Sequence, residues 1–294
     1  DIAEFSTTQI SALTTTQVRN LSETNVSDLA ETQIGAFTSA QLQALSSTNL
    51  SALSETQIGA LNTTQVRAFS TTQLAAIDAT DVAEFANTQL AALSATQVRS
   101  LTSTNLAALA ETQIAAFTTT QLTAFSTTNL SSLADTQVAA LTAAQIGALT
   151  TTQVRGLNET NIGALTETQV AELNATQLQA LSTTNVAALD GTQVAALTTT
   201  QIAALTSTQL NALGAVDVAE FSTTQVAALT ATQVRALSSA RVADLADTQI
   251  AALTTTQIAA LSVSNVSGLD ATQVAALTAT QIGAPTATQV RGLS

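Results

Sequence analysis

A pair of large apolar side chains recurs in every eight positions of this chain, without an insertion or deletion from one end of the sequence to the other. In a typical octad, residues 70–77 (STTQLAAI), one apolar residue follows the Gln directly and another comes three positions later. Pro285 is the one departure from this apolar pattern. A short fixed period indicates a repeat solenoid, in which each unit packs only on its neighbours.

The period itself selects the type of backbone. In a continuous α-helix, one octad overshoots two turns by about 80°, so the apolar stripe would wind around the helix. In a flat strand, apolar spacings that alternate between three and five positions would place successive large side chains on opposite faces. A β-solenoid with a bend in each octad is the alternative, but ten Gly and abundant Ala disfavour it. We therefore predict an all-α solenoid with one very short helix per octad.

Start signals for helices support this prediction. The position three before the Gln, for example Ser6 and Thr14, holds Ser, Thr, Asn, Asp or Gly, which are N-cap residues, in all but five octads. The Gln then falls where a capping box needs it, and the two apolar residues fall where a hydrophobic staple needs them. A Glu, Asp or Asn follows each exception, and we expect it to take over the cap or to favour the helix dipole. The exceptions are Ala30, Ala86, Ala110, Ala134 and Ala246.

Charges also follow the octad. Acidic residues such as Glu23 collect at the first predicted helical position, and Arg residues such as Arg19 lie in the later half, which suits the helix dipole. No charge occupies the two apolar positions or the nearly constant Thr before the Gln. We expect these three positions to form the interior and its lining.

The number of octads in one coil stays open between two, three and four. Phe recurs at a spacing of four octads (Phe5, Phe37), which indicates four, whereas Asn recurs at a spacing of three octads (Asn25, Asn49), which indicates three. We favour two, in a flattened ribbon. No linker or change of composition divides the sequence, so we expect residues 1–294 to form a single continuous octapeptide-repeat solenoid.

The candidate chemistry is sparse. The chain has no His and no Cys, so common zinc sites, an imidazole base and a thiolate nucleophile are absent. Asp81 and Glu84, and likewise Asp217 and Glu220, form carboxylate pairs, which we interpret as solvated surface charges. Arg241 interrupts the Gln row and is interpreted, like Pro285, as a tolerated irregularity. We therefore predict no enzyme activity, no catalytic, cofactor-binding or metal-binding residues and no cofactor.

Composition restricts the partners. Hydrophobic residues make up 46% of the chain, which is enough for a core and disfavours disorder. No apolar run is long enough to cross a membrane. A net charge of −13 without any Lys repels nucleic acids and anionic lipid surfaces. The chain opens at Asp1 without Met or a leader, so we expect a mature or excised segment.

The pattern of residues 149–154 (LTTTQV), repeated throughout, resembles the low-complexity arrays of large bacterial surface proteins that are described as adhesin- or haemagglutinin-like. The resemblance implies an extracellular or cell-surface stalk, spacer or filament-forming subunit. Its partners would be other copies of itself or surface proteins, through lateral or end-to-end packing. The alternative function is a binding module whose Thr-rich repetitive face binds ice or carbohydrate. An ice-binding face needs exposed Thr, whereas we expect the most constant Thr to point inward.

Overall fold

The computed structural model describes residues 2–292, in which all regular secondary structure is helical. The prediction of an all-α solenoid with one short helix per octad is confirmed, and the β-solenoid alternative is wrong. The α-helices contain four to six residues each. Within residues 2–292, no helix is long and apolar enough to cross a bilayer.

The described residues form two compact units, which divide between Leu149 and Thr150. The single continuous array expected over residues 1–294 stays a prediction. The first unit begins with a 3₁₀ helix, Ile2–Glu4, and continues with α1 (Thr7–Ser11), α2 (Thr15–Arg19), α3 (Glu23–Ser27), α4 (Glu31–Ile34), α5 (Ser39–Ala44), α6 (Ser47–Ser51), α7 (Glu55–Gly59), α8 (Thr63–Val66), α9 (Thr71–Ala76), α10 (Ala79–Ala83), α11 (Asn87–Ala92), α12 (Ala95–Ser100), α13 (Ser103–Ala108), α14 (Glu111–Ala115), α15 (Thr119–Leu122), α16 (Thr127–Ser131), α17 (Asp135–Ala140) and α18 (Ala143–Gly147).

The second unit is likewise built of short helices. They are α19 (Thr151–Arg155), α20 (Glu159–Gly163), α21 (Glu167–Glu172), α22 (Ala175–Ala180), α23 (Thr183–Ala187), α24 (Gly191–Ala195), α25 (Thr199–Ala204), α26 (Ser207–Ala212), α27 (Ala215–Ala219), α28 (Thr223–Ala228), α29 (Ala231–Ala236), α30 (Ser239–Ala243), α31 (Asp247–Ala251), α32 (Thr255–Ala260), α33 (Val263–Ser267), α34 (Ala271–Ala276), α35 (Ala279–Ile282) and α36 (Ala287–Arg291).

Three octads make one coil of each unit. The helices that pack most closely on one another are three apart in order, such as α2 on α5 and α19 on α22. α2 begins at Thr15 and α5 at Ser39, so the chain passes through three octads before it returns to the same side of the coil. The prediction of two octads per coil is therefore wrong, and the spacing of three octads between Asn residues such as Asn25 and Asn49 was the correct signal.

The conformation of the corners explains this number. Each helix starts at an extended N-cap, such as Ser6 with φ −66° and ψ 158°, and no described residue has a positive φ. A two-octad ribbon would reverse the chain at every corner, and tight reversals after a helix commonly use a left-handed residue, usually Gly. An extended corner turns the chain less sharply, so three corners close the coil.

The core of each unit is a narrow column of aliphatic side chains. In most octads the two apolar positions are fully or almost fully buried; Leu106 is 0% exposed and Leu109 is 3% exposed. A few Phe rings also lie inside, and those of Phe117 and Phe125 meet edge to face at 5.2 Å. Helices this short are unstable alone, so their stability comes from this packing.

The residue before the Gln, which we expected to lie in the interior, lies on the surface. The residue before the Gln is exposed in every octad of the described range, from Thr8 to Thr288. The Gln itself lies inside instead, since Gln121 is 3% exposed. The absence of charge at the Thr position does not reflect burial.

We expect Leu106→Ala to lower the free energy of unfolding by about 2 to 5 kcal/mol, because it leaves a cavity in the core column. Urea unfolding followed by far-UV circular dichroism measures this change. Thr104→Ala, in the same octad but at the exposed position, is the control and should change stability by less than about 0.5 kcal/mol. Equal effects of the two substitutions would contradict the assigned core.

Candidate functional site

The most distinctive feature of the structure is the amide row, which we define as the third residue after each N-cap. It is Gln or Asn in every octad except those of Asp81, Asp217 and Arg241. Within its own helix, Gln121 forms a reciprocal pair of hydrogen bonds with its N-cap. The backbone N–H of Thr118 donates to Gln121 Oε1 at 2.8 Å, and the backbone N–H of Gln121 donates to Thr118 Oγ1 at 3.2 Å. These bonds satisfy two N–H groups near the helix start.

The same side chain also joins neighbouring coils. Gln121 Nε2 donates to Leu90 O at 2.8 Å and to Leu93 O at 2.7 Å, and both carbonyls belong to the preceding coil. Those carbonyls flank the corner over which the first turn of α15 lies. One buried amide therefore completes the start of its own helix and the end of another, and it bonds to backbone carbonyls, not to the amides of the neighbouring octads.

Asn makes the contact between coils with a shorter side chain. Asn129 Nδ2 donates to Leu101 O alone, at 3.1 Å, which is the equivalent of Leu93 O. Asn105 and Asn185 likewise reach only this one carbonyl of the preceding coil, at 3.0 Å and 2.8 Å. An Asn octad thus keeps one of the two hydrogen bonds between coils.

The Ala caps keep half of the reciprocal pair. At Ala30, the backbone N–H still donates to Gln33 Oε1 at 2.7 Å, but no side chain caps the helix. The prediction that the next residue takes over the cap or favours the helix dipole holds in part: Asp247, which follows Ala246, accepts a hydrogen bond from the Thr248 N–H at 2.7 Å. Glu31, Glu111 and Asp135 stand in the first helical turn, where a negative charge suits the helix dipole.

Arg241 replaces the amide and keeps its contact between coils. Its guanidinium Nη1 donates to Leu213 O, which is again the equivalent of Leu93 O. The guanidinium also pairs with Asp244 at 3.1 Å. The N–H of the cap residue Ser238, which an amide oxygen normally accepts, donates to Asn211 Oδ1 at 2.8 Å. The interruption is thus accommodated by a long cationic donor and a neighbouring Asn.

The two carboxylates of the amide row are buried, and their interpretation as solvated surface charges is wrong. Asp81 is 7% exposed and Asp217 is 9% exposed. Glu84 has a buried Oε2 atom without a hydrogen-bond partner, whereas Glu220 is exposed, as expected. Burial raises the pKa of Asp81. Burial also raises the pKa of Glu84, helped by the negative charges of Asp81, Glu55 and Asp78.

Within residues 2–292, no cluster of three or more His, Cys, Asp or Glu side chains has an arrangement that holds a metal ion. The sequence indicated these carboxylate pairs, but the burial of Asp81 and Asp217 was missed. The available signal was that both Asp residues stand in the register of the Gln.

The first described coil of the first unit has amide nitrogens without acceptors. Gln9, Gln17 and Asn25 accept from their own N-cap N–H groups at 2.8, 2.8 and 3.2 Å. Within residues 2–292, none of their side-chain nitrogens meets a carbonyl of a preceding coil, because no described coil precedes this one. We call this surface the donor face.

The last described coil of the second unit has the complementary surface. An apolar cavity of about 360 Å³ opens there, lined by Val266, Leu269, Val274, Leu277, Ile282, Pro285 and Val290. Ile282 and Val290 are each 53% exposed, although their equivalents in most other octads are buried. Pro285, which lacks an N–H, cannot make the bond to the carbonyl three positions earlier that Leu makes elsewhere. We call this surface the acceptor face.

The outside of both units carries hydroxyl groups in a regular pattern. The exposed position before the Gln is most often Thr, and the N-cap of the same helix is commonly Ser or Thr. Shallow grooves lie between such starts in neighbouring coils. One of about 480 Å³ is lined by Ser27, Thr32, Ser54 and Thr56 among others, and one of about 350 Å³ includes Thr166, Thr168 and Thr192.

Comparison with known families supports the repeat array. Residues 26–63, 114–151, 170–207 and 202–239 match the family model of the ALTTAQ repeat. No curated protein matches the chain. The resemblance to adhesin- and haemagglutinin-like surface proteins stays a prediction.

We expect Gln121→Leu to lower the free energy of unfolding by about 2 to 4 kcal/mol, because it leaves Leu90 O, Leu93 O and Thr118 N without their partner. Gln121→Asn is the matched control. It should cost about 1 kcal/mol, because Asn keeps one bond between coils, as at Asn129. Chemical unfolding measures both, and a Leu variant as stable as the Asn variant would show that the amide row contributes nothing beyond its volume.

Proposed function

We propose that this chain is an extracellular or cell-surface structural protein, a stalk or a filament-forming subunit that acts through the packing of coil on coil. The observation that carries the proposal is the directional contact between coils, in which an amide of one coil donates to corner carbonyls of the preceding coil, as Gln121 does to Leu90 O and Leu93 O. The donor face and the acceptor face carry the two halves of this contact, and they are the surfaces through which copies of this chain would meet.

A coil of the same octads fits the acceptor face in the register found throughout each unit. Leu269 O and Leu277 O are equivalent to Leu93 O, which accepts from the amide row of the next coil. The apolar side chains of such a coil would cover Ile282 and Val290, which are half exposed. Covering an exposed aliphatic side chain contributes about 25 cal/mol per Å² of apolar area removed from water.

Composition supports the extracellular part of the proposal. The net charge of −13 keeps a Thr-rich repeat protein soluble and disfavours binding to nucleic acids. The resemblance to bacterial surface repeats supports the location. The ALTTAQ matches support a chain built by repetition, which suits a spacer or a filament.

We expect the purified chain to associate end to end as its concentration rises, and Ile282→Asp to weaken this association by about a hundredfold or more. A carboxylate at this position would be buried in the contact without a partner. Sedimentation velocity at moderate salt, which screens the repulsion between acidic copies, measures the association. Negative-stain images test whether the copies join through their ends.

Thr200→Asp is the matched control, because it adds the same charge at an exposed position away from the acceptor face. This variant should associate like the unmodified chain. A chain that stays monomeric at all concentrations would contradict the filament form of the proposal. Association that Ile282→Asp leaves unchanged would contradict the use of the acceptor face.

A second candidate function is a binding module that recognises ice or carbohydrate. The observation that favours it is the exposure of the position before the Gln, most often Thr, in every described octad, which removes the objection raised by the sequence. We expect an ice-binding face to produce thermal hysteresis and faceted ice crystals. Crystals of unchanged shape, together with no retention on immobilised polysaccharide, would rule against this candidate.

A further inference from the structure

Asp81 leaves one hydrogen bond of the amide row unmade. In neighbouring octads, an amide nitrogen donates to a corner carbonyl of the preceding coil, as Asn105 Nδ2 does to Ile77 O at 3.0 Å. For Asp81 the equivalent acceptor is Leu53 O. An ionised carboxylate has no hydrogen to donate. The side chains of Asp and Asn have the same length, so the bond to Leu53 O is unmade because Asp81 lacks a proton and not because its side chain is too short.

The Oδ2 atom of Asp81 is buried and has no hydrogen-bond partner. An ionised oxygen in this state carries the full cost of desolvation, which is large for a charge without a partner. The Asp81 backbone N–H donates to its cap, Asp78 Oδ1, at 2.9 Å. Hydrogen bonds from the Ser51 hydroxyl and the Asp78 N–H favour the ionised form of Asp81, but each has a smaller effect on its pKa than burial, and Oδ2 itself has no partner.

The charges around Asp81 are all negative. Asp78 and Glu84 belong to its own octad, and Glu55 stands at the start of α7 in the preceding coil. α13, which packs on α10, has no titratable residue, and the neighbouring helices α9 and α11 have none either. No Arg lies in any of these helices. The Ser51 hydroxyl is the one neutral side-chain donor that favours the ionised form of Asp81.

We infer that Asp81 holds a proton in the folded protein, and that this proton supplies to Leu53 O the hydrogen bond that an amide supplies elsewhere. The contact between this octad and the preceding coil, in which Asp81 meets Leu53 O, then depends on the proton. We call this contact of the first unit the joint. The inference is independent of the proposed function, because it concerns an interior coil and neither end face.

The direction of the pH dependence follows from the raised pKa values. Burial raises the pKa of Asp81 above its ordinary 3.8 and that of Glu84 above its ordinary 4.5. A raised pKa in the folded state stabilises the joint below the ordinary value, and this stabilisation is lost as the pH rises through the raised value. The joint therefore loosens as the pH rises.

The second unit contains a natural control. Asp217 occupies the same motif there, but Gly191 stands where Glu55 stands and Gly214 stands where Asp78 stands. Asp217 Oδ2 accepts a hydrogen bond from the Gly214 N–H at 2.8 Å. This copy of the motif has lost two of the surrounding carboxylates and has found a donor for its own, so it is not a joint of the same kind.

The test is hydrogen exchange by mass spectrometry on the full chain at about pH 5 and about pH 8, corrected for the intrinsic rate of exchange. As the pH rises, we expect the protection of residues 47–61 and 78–85 against exchange to fall. The fall should be on the order of tenfold for each pH unit by which folding raises the pKa of Asp81. Residues 214–221 should not show this loss. A local readout is needed because hydrogen bonds lower the pKa of the cap residues Asp190 and Asp270, which gives global stability a pH dependence of opposite sign.

Two matched variants decide the outcome. Asp81→Asn supplies the donor permanently, so we expect protection of residues 47–61 that no longer falls with pH. Asp217→Asn should keep the wild-type loss. As a third variant, Glu84→Gln removes a neighbouring negative charge and should shift the loss to lower pH.

An infrared spectrum at mildly acidic pH provides a direct readout, because a protonated carboxyl has a C=O band that an ionised one lacks. This band should be equally strong in the wild type and in Asp217→Asn, and weaker in Asp81→Asn, in which Glu84, whose pKa is also raised, still contributes. Its absence from the wild type, protection that does not change with pH, or an Asp81→Asn variant with wild-type pH dependence would each overturn the inference.

Discussion

Helices of four to six residues consist almost entirely of ends, and the need to satisfy their backbone groups governs this structure. The first four N–H groups and the last four carbonyls of any α-helix lack partners within the helix. In helices this short, few internal hydrogen bonds remain to offset the entropy of ordering the chain. The Gln of each octad meets this need twice, since its oxygen accepts from an N-cap N–H and its nitrogen donates to carbonyls of the preceding coil, as at Gln121. Repetition of the fold follows from repetition of this one residue.

The local part of the fold could be predicted from the sequence because it depends on contacts within one octad. Cap, Gln and apolar residues stand at fixed offsets, and Thr118 pairs with Gln121 inside a single repeat. The size of the coil could not be predicted in this way. It depends on contacts between coils, and a strictly periodic sequence offers the same partners two, three or four octads away. Only an irregularity marks the true neighbour, and Asn25 and Asn49 are one such mark.

The interior was predicted with one error whose cause is physical. We equated the absence of charge with burial, and so placed the constant Thr inside and gave the Gln a capping role alone. In a helix, the residue after the Thr lies about 100° further round the axis. With the apolar residue after the Gln pointing into the core, the Gln reaches the neighbouring coil and the Thr remains outside. The same error hid the burial of Asp81 and Asp217, which share the direction of the Gln.

The three substituted positions of the amide row show how strictly the constraint applies. Arg241 retains a donor to Leu213 O, and Asp217 retains an acceptor for the Gly214 N–H. Each thus preserves one of the two roles of the amide. Asp81 as an ionised group has no hydrogen to donate to the preceding coil, and its buried Oδ2 has no partner. What these positions share is the need for hydrogen-bonding capacity in the register of the amide, and the sign of the charge is secondary.

The amide row also gives the coil contact a direction, and this restricts how copies can assemble. From α4 onwards, the side-chain nitrogens of the row that contact another coil reach carbonyls earlier in the chain, as Gln41 does to Ile10 O and Leu13 O. The two faces of a coil are therefore different, one bearing donors and the other acceptors. A two-fold dimer through like faces would oppose carbonyls to carbonyls or amide nitrogens to amide nitrogens, and leave both without partners. A contact between unlike faces satisfies both, and such a heterologous contact repeats without closing unless its rotation forms a ring. The hydrogen bond that holds one coil on the next thus favours open assembly over a closed dimer.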